Sequence, residues 1–131
     1  MAIIRIGVGC NVGAQIDGSQ YGALVAATWI KKPDIMIMQD RSLGDQDHYL
    51  YMIKDVISRL QSNVNEVLNN GDFPLIIGGD HSIVMGSLPH KQDTLVVWID
   101  AHADVNTPET SITSRIHGMP LAALMGYGDK R

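Results

Sequence analysis

Two carboxylates and an imidazole alternate along one short segment, Asp100-Ala101-His102-Ala103-Asp104. The segment follows the apolar run Val96-Val97-Trp98-Ile99, and in an extended backbone positions 100, 102 and 104 face one side. Oxygen ligands with one nitrogen suit manganese, iron or zinc better than copper or a thiolate-binding ion. The pattern therefore predicts half of a divalent-metal site. Taken alone, the motif fits a solvated turn with chance spacing equally well.

A second motif, Gly78-Gly79-Asp80-His81-Ser82, follows the apolar run Leu75-Ile76-Ile77. Because ligands gather where parallel strands end, His81 is expected to add a fourth donor from a neighbouring strand. The paired glycines permit a sharp turn with positive φ. We interpret Asp80 as a turn-stabilising group rather than a ligand. The alternative for His81 is a structural hydrogen bond at the start of a helix.

Short apolar runs and helical periodicities alternate along the chain and must position these motifs. Strands are predicted over Ile3–Gly9, Ile35–Met38, Phe73–Ile77 and Thr94–Ile99. Helices are predicted over Ser19–Lys31 with Ser19 as N-cap and Pro33 as stop, over Leu50–Leu68 after Asp45 and Asp47, and over Ile116–Tyr127. Continuously apolar strands need both faces of their sheet covered, so the pattern predicts an α/β fold with a parallel sheet.

Composition excludes several classes of function. The 131 residues carry a net charge of −4 with a pI near 5.6, so the chain lacks the positive charge that is typical of proteins that bind nucleic acid. The single cysteine, Cys10, excludes an intrachain disulfide and is interpreted as a small buried residue. No signal peptide or membrane-spanning run is recognisable, so we expect a cytoplasmic location. His48 and His90 are interpreted as surface residues.

The motifs together resemble those of the arginase/agmatinase family of ureohydrolases. The resemblance rests on GGDHS, on WIDAHADVNTPETS and on HGMP at His117–Pro120, and it covers Leu75–Pro120. The spacing from DAHAD to HG, with Asn106-Thr107-Pro108 and the hydroxyls that follow, is similar to the arginase branch in particular. It implies a three-layer α/β/α fold with a mostly parallel sheet.

The resemblance also implies an activity and its residues. Arginases hydrolyse the guanidinium of L-arginine to ornithine and urea at a binuclear Mn²⁺ centre that activates water. His81 and His102 resemble ligands of different metals, with Asp104 a partner of the first and Asp100 a bridge. His117 resembles a proton-shuttling histidine, a role that suits an imidazole. The implied set is therefore His81, Asp100, His102 and Asp104 for metal, His117 and Asp104 for catalysis, and Asn106, Ser111 and Thr113 for substrate.

One departure from the family pattern bears on activity. Family members carry a later Asp-x-Asp pair that completes both metal shells, and a further acidic residue that orients the guanidinium. Residues 121–131 contain one carboxylate side chain, Asp129. We therefore expect residues 1–131 to form a single α/β domain that is incomplete on its C-terminal side and holds one cation weakly. An uncovered apolar edge would favour self-association or a complementary segment.

Three alternatives remain open from the sequence. Another ureohydrolase, acting on agmatine or formiminoglutamate, is disfavoured by Asn106 and its hydroxyl-rich loop. A non-catalytic metal-binding or assembly module is favoured by the missing Asp-x-Asp pair. The glycines of Gly7–Gly13 suggest dinucleotide binding, but their spacing departs from G-x-G-x-x-G by one residue. A glycine-rich loop at an active site explains them as well.

Overall fold

A three-stranded parallel sheet forms the centre of the computed structural model, which describes residues 1–43, 49–89 and 94–128. Strand β1 (Ile3–Gly9) lies between β2 (Ile35–Met38) and β3 (Phe73–Ile77). All three strands are confirmed where the sequence predicted them. The register sets Ile6 beside both Ile35 and Ile76, so the three carboxyl ends meet at one edge.

Helix α2 (Tyr49–Asn69) covers one face of this sheet. Its apolar stripe meets the side chains of Ile6 and Val8 in the main core. The buried members of that core are Ile6, Val8, Cys10, Ile37, Val56, Leu60, Val64, Val67 and Ile83. The helix ends as Asn69-Asn70-Gly71 predicts: Gly71 is left-handed at φ 76°, and its amide donates to Leu68 while that of Asp72 donates to Val67.

The opposite face of the sheet is met by a 3-10 turn (Ser19–Tyr21) and helix α1 (Gly22–Ala27). They approach β1 closely because Gly9 has no side chain, and a Cβ there would lie 2.8 Å from the Gln20 carbonyl oxygen. With α2 on the other face, this gives three layers. The predicted helix Ser19–Lys31 was too long: Gly18, at φ 117°, precedes the turn in place of a Ser19 cap, and the Thr28 hydroxyl closes the end on the Val25 carbonyl.

Thr94–Ile99 is not a strand in the structure, so that prediction was wrong. Within the described residues this segment joins no strand ladder, and Leu95, Val97 and Ile99 are 88%, 75% and 93% exposed. A strand exists through hydrogen bonds to a neighbouring strand, which an apolar run cannot supply by itself. The segment nevertheless leads directly into the Asp100–Asp104 motif.

The remaining helices are short. The 3-10 turns comprise Arg41–Leu43, His81–Ile83 and Ile116–Gly118, and the α-helices are α3 (Val84–Ser87) and α4 (Pro120–Leu124). The predicted helix Ile116–Tyr127 is thus divided, because the proline at the first position of α4 begins a new helix. Asp45, Asp47, His48 and His90 lie outside the described residues. Among the described helices, none has the length and apolar character needed to cross a bilayer.

Candidate metal centre

Three side chains converge just after the ends of two apolar segments, strand β3 and the segment that ends at Ile99. The Nδ1 atom of His81 lies 2.7 Å from Oδ2 of Asp104 and 3.6 Å from Oδ2 of Asp100. Potential ligand atoms of all three lie within 4.8 Å of one another. The carboxylates are largely covered, with side chains 20% and 10% exposed for Asp100 and Asp104, whereas the His81 side chain is 48% exposed. The predicted meeting of the two motifs is therefore present in the structure.

The backbone of the Asp100–Asp104 motif bends rather than staying extended. The His102 amide donates to Oδ1 of Asp100 at 2.8 Å, which folds residues 100–102 into a turn. Asp104 then takes a left-handed conformation at φ 48°, a region that aspartate visits more readily than most residues. The expected strand-like alternation is wrong, and the turn brings Asp100 and Asp104 to His81 by another route.

His102 lies at the rim of this group. Its side chain is 84% exposed, and its Nδ1 lies 3.6 Å from Oδ1 of Asp100. The Trp98 indole donates to the His102 carbonyl at 3.1 Å and presents its ring edge-on to that of His81, with centroids 5.8 Å apart. The ligand role of His102 stays a prediction, and the indole contacts the backbone of one motif and the imidazole of the other.

The environment of Asp100 keeps its carboxylate in the anionic form. The backbone amide of His102 is the main cause that lowers the pKa of Asp100, and the nearby imidazoles of His81 and His102 lower it further. A metal with ligands at about 2.1 Å holds its ligand atoms roughly 3 to 3.5 Å apart. The 3.6 Å separation of His81 and Asp100 is close to that spacing, whereas the 2.7 Å contact of His81 with Asp104 is a hydrogen bond that a bound ion would replace. One imidazole and two carboxylates therefore fit a divalent ion such as Mn²⁺.

The turn that carries His81 is capped by Asp80, as the sequence predicted. Asp80 is 6% exposed, and its Oδ1 accepts from the Ser82 amide at 2.9 Å. Gly78 and Gly79 precede it with φ values of 100° and 74°, so both adopt the positive φ expected of the pair. A Cβ on Gly78 would lie 2.6 Å from the Ala23 backbone nitrogen. Glycine is thus required here for both conformation and space.

The loop with His117 is joined to the metal-binding segment through the backbone. The Asn106 amide donates to the Gly118 carbonyl at 3.1 Å, and the Leu121 amide to that of Asp104 at 3.1 Å. The His117 amide donates to the Gly13 carbonyl at 3.3 Å. The half-buried His117 is therefore held beside the segment that carries the carboxylates. Sequence reasoning missed this contribution of Gly13, for which the glycine-rich loop after β1 was the available signal.

The residues predicted to bind substrate follow the carboxylates in sequence, with Asn106 before a turn at 108–110 and Ser111 and Thr113 after it. The Thr110 hydroxyl accepts from the Thr107 amide at 2.8 Å and donates to Oδ1 of Asn106 at 3.3 Å. Asn106 and Thr113 are exposed and Ser111 is half-buried. The turn thus presents amide and hydroxyl groups at the surface, and their role toward a substrate stays a prediction.

Comparison with known proteins agrees with this geometry. The model of the Arginase family matches residues 14–130. The chain belongs to the arginase family. Over 103 residues it is 47% identical to an arginase of Bacillus caldovelox, and over 102 residues 41% identical to one of Bacillus subtilis strain 168. The crystal structure of arginase from Bacillus cereus superposes on 98% of this chain with a TM-score of 0.83 and 36% identity.

The matches also show how much of an arginase is represented. Each of the two curated relatives is covered over 34% of its length, which corresponds to 72% of this chain. The Bacillus cereus structure is covered over 49% of its length. The predicted α/β arginase-like fold is thus confirmed for about half of such a chain. The activity of a whole arginase remains a matter for proposal.

Proposed function

We propose that this chain binds Mn²⁺ through His81, Asp100, His102 and Asp104 and forms part of an arginase-type active site. The observation that carries the proposal is the convergence of His81, Asp100 and Asp104 at the ends of two apolar segments. Two carboxylates balance the charge of one divalent cation. We therefore propose one ion per chain, held weakly, for the 131-residue polypeptide.

The proposed reaction is hydrolysis of the guanidinium of L-arginine to ornithine and urea. Mn²⁺ at such a site supplies water with a lowered pKa, which is the nucleophile that this hydrolysis needs. Asp100 and Asp104 would hold this ion together with His81, and their negative charge would offset the charge of the ion. An imidazole nitrogen of His117 accepts a proton and returns it to the leaving amine.

Selection of arginine is assigned to the turn after the metal-binding segment. Asn106, Ser111 and Thr113 supply amide and hydroxyl groups for the α-carboxylate and α-amino ends of the substrate. Agmatine lacks the carboxylate, so it cannot use these contacts fully. A site built to bind a polar substituent discriminates strongly against an analogue without it, because its own polar groups are then unpaired.

The first experiment measures binding of Mn²⁺ to the full 131-residue chain by electron paramagnetic resonance of the free ion. One bound ion per chain is expected. Since even groups that only orient metal ligands are worth about 10- to 100-fold in affinity, Asp104→Asn is expected to weaken binding at least roughly 10-fold. The matched control is Asp55→Asn, whose carboxylate pairs with Arg59 on α2. Equal affinity in both variants would refute the site.

The second experiment measures urea release from arginine and from agmatine on the same sample. The arginase assignment predicts that the unmodified chain releases urea from arginine. It also predicts that Asn106→Ala reduces turnover of arginine more than turnover of agmatine. Preferential turnover of agmatine would favour another ureohydrolase. Tight binding of Mn²⁺ without release of urea would favour the non-catalytic metal-binding or assembly module. The exposed apolar segment Leu95–Ile99 is consistent with an assembly role. A cytoplasmic location is part of this proposal because the single cysteine fits a reducing compartment.

A further inference from the structure

The carboxylate of Asp80 is buried between two parts of the site and accepts four hydrogen bonds. Its Oδ2 accepts from the amides of Gly13 and Ala14 at 2.9 and 3.1 Å. Its Oδ1 accepts from the amide and hydroxyl of Ser82 at 2.9 and 2.5 Å. Both oxygens are therefore directed at donors within the protein, and the residue is 6% exposed. Such a carboxylate acts on the site through the groups it holds.

One side of this carboxylate controls the metal-binding turn. Asp80 directly precedes His81 and caps the 3-10 turn His81–Ile83. The backbone amide of Asp80 donates to the Cys10 carbonyl at 2.9 Å, and the Ile83 amide donates to the Asp80 carbonyl at 3.3 Å. The backbone and the side chain of Asp80 therefore together fix the start of the turn that carries His81. Because the His81 ring contacts Asp104 at 2.7 Å, a shift of this turn separates the donors.

The other side of the carboxylate controls the loop after β1. Gly13 donates its amide to Asp80 and accepts the amide of His117 on its carbonyl, at 2.9 and 3.3 Å. The contact is close: a Cβ on Gly13 would lie 2.6 Å from both Oδ1 of Asp80 and Oγ of Ser82. The peptide units on the two sides of Gly13 therefore connect Asp80 to His117 without an intervening side chain.

We infer that Asp80 is a positioning residue that sets the spacing between His81 and His117. This inference rests on the proposed function, in which His81 binds metal and His117 transfers a proton. A single carboxylate bridges the turn of one histidine and the loop that holds the other. Displacement of either part is transmitted to the other part through Asp80 and Gly13.

The test compares Asp80→Asn with Ser82→Ala in the full chain without metal. Asp80→Asn replaces an acceptor oxygen by an amide donor, whereas Ser82→Ala removes one hydroxyl and keeps the bonds to Gly13 and Ala14. Histidine-selective ¹³C labelling reports the imidazoles individually. Asp80→Asn is expected to shift the signals of both His81 and His117, and Ser82→Ala that of His81 alone. If Asp80→Asn shifts the signal of His81 alone, Asp80 only caps its own turn and the inference is wrong.

A second measurement decides the question even if Asp80→Asn fails to fold. Hydrogen exchange of the unmodified chain is followed by mass spectrometry with and without Mn²⁺. Binding at His81 is expected to slow exchange in peptides that contain Gly13–Ala14 and His117, and Asp80→Asn, where folded, is expected to abolish that response. Bound Mn²⁺ that slows exchange only around His81 and Asp104 would overturn the inference.

These readouts separate the inference from the proposed function. The ¹³C shifts need neither metal nor turnover, and the exchange experiment needs binding alone. Affinity for Mn²⁺ is expected to fall about 10-fold or more in Asp80→Asn. Absence of urea release with intact coupling between His81 and His117 would refute the hydrolase function and leave the positioning role in place. Urea release without that coupling would support the hydrolase function and refute the positioning role.

Discussion

The thiol of Cys10 is buried near the carboxylate of Asp80 and makes stability depend on alkaline pH. Cys10 follows β1 and is 1% exposed. Burial raises the pKa of this thiol from 9.0 to about 11, and the nearby carboxylate of Asp80 contributes in the same direction. Removal of the thiol by Cys10→Ala is the perturbation that isolates this effect.

The sign of the effect follows from proton release by the unfolded chain. The unfolded chain loses the thiol proton near pH 9, whereas the folded chain keeps it to about pH 11. The stabilisation is therefore complete below pH 9 and is lost as the pH rises through 11. A difference of two pKa units at 1.36 kcal/mol each corresponds to about 3 kcal/mol in the free energy of unfolding.

The assay is urea denaturation of the unmodified chain and of Cys10→Ala at several pH values between about 7 and 11, followed by tryptophan fluorescence. Tyrosine and lysine titrations are common to both proteins and cancel in the difference. The unmodified chain is expected to lose about 2 kcal/mol more than Cys10→Ala between pH 8 and 11, because the folded thiol is only half ionised at pH 11. Identical pH profiles would refute the reasoning, as would rapid reaction of the native thiol with Ellman's reagent near pH 8.

Two further predictions concern the core and the exposed segment. Leu60 is fully buried in the core, and Leu60→Ala is expected to lower the free energy of unfolding by about 2–5 kcal/mol. Ser62 is exposed, and Ser62→Ala is expected to change that free energy by no more than about 0.5 kcal/mol in the same denaturation assay. The pair Leu95→Lys and Val97→Lys is expected to reduce self-association measured by light scattering, and Ile112→Lys, at an isolated exposed position, should not. A monomeric unmodified chain would contradict the second prediction.

Local patterns were sufficient for much of the framework. The apolar runs of β1, β2 and β3 and the periodicity of α2 predict elements that the structure confirms. The glycine stop of α2 was also predictable, because a left-handed residue after a helix is a local requirement. The rule that parallel strands end at one edge accounts for the position of His81 after β3, and Asp100 and Asp104 meet it although the segment before them is not a strand.

Two features of the structure could not be predicted from the apolar patterns. Thr94–Ile99 is strand-like in sequence, yet a strand needs a partner, and pairing depends on the rest of the fold. The Asp100–Asp104 motif was expected to alternate as a strand does. In the structure the Asp100 carboxylate captures the His102 amide, and Asp104 turns left-handed. Side chains that compete for backbone amides are what override strand periodicity here.

The Asp100–His102–Asp104 pattern by itself determined the donor types that a metal ion would meet, since ligand chemistry depends on residue identity. The tertiary structure decided which donors meet: His81, Asp100 and Asp104 converge while His102 lies at the rim. It also decided that Gly13, from the other end of the chain, holds the loop of His117. The physical reason is that hydrogen bonds through Asp80 join segments whose proximity arises only when the sheet has formed.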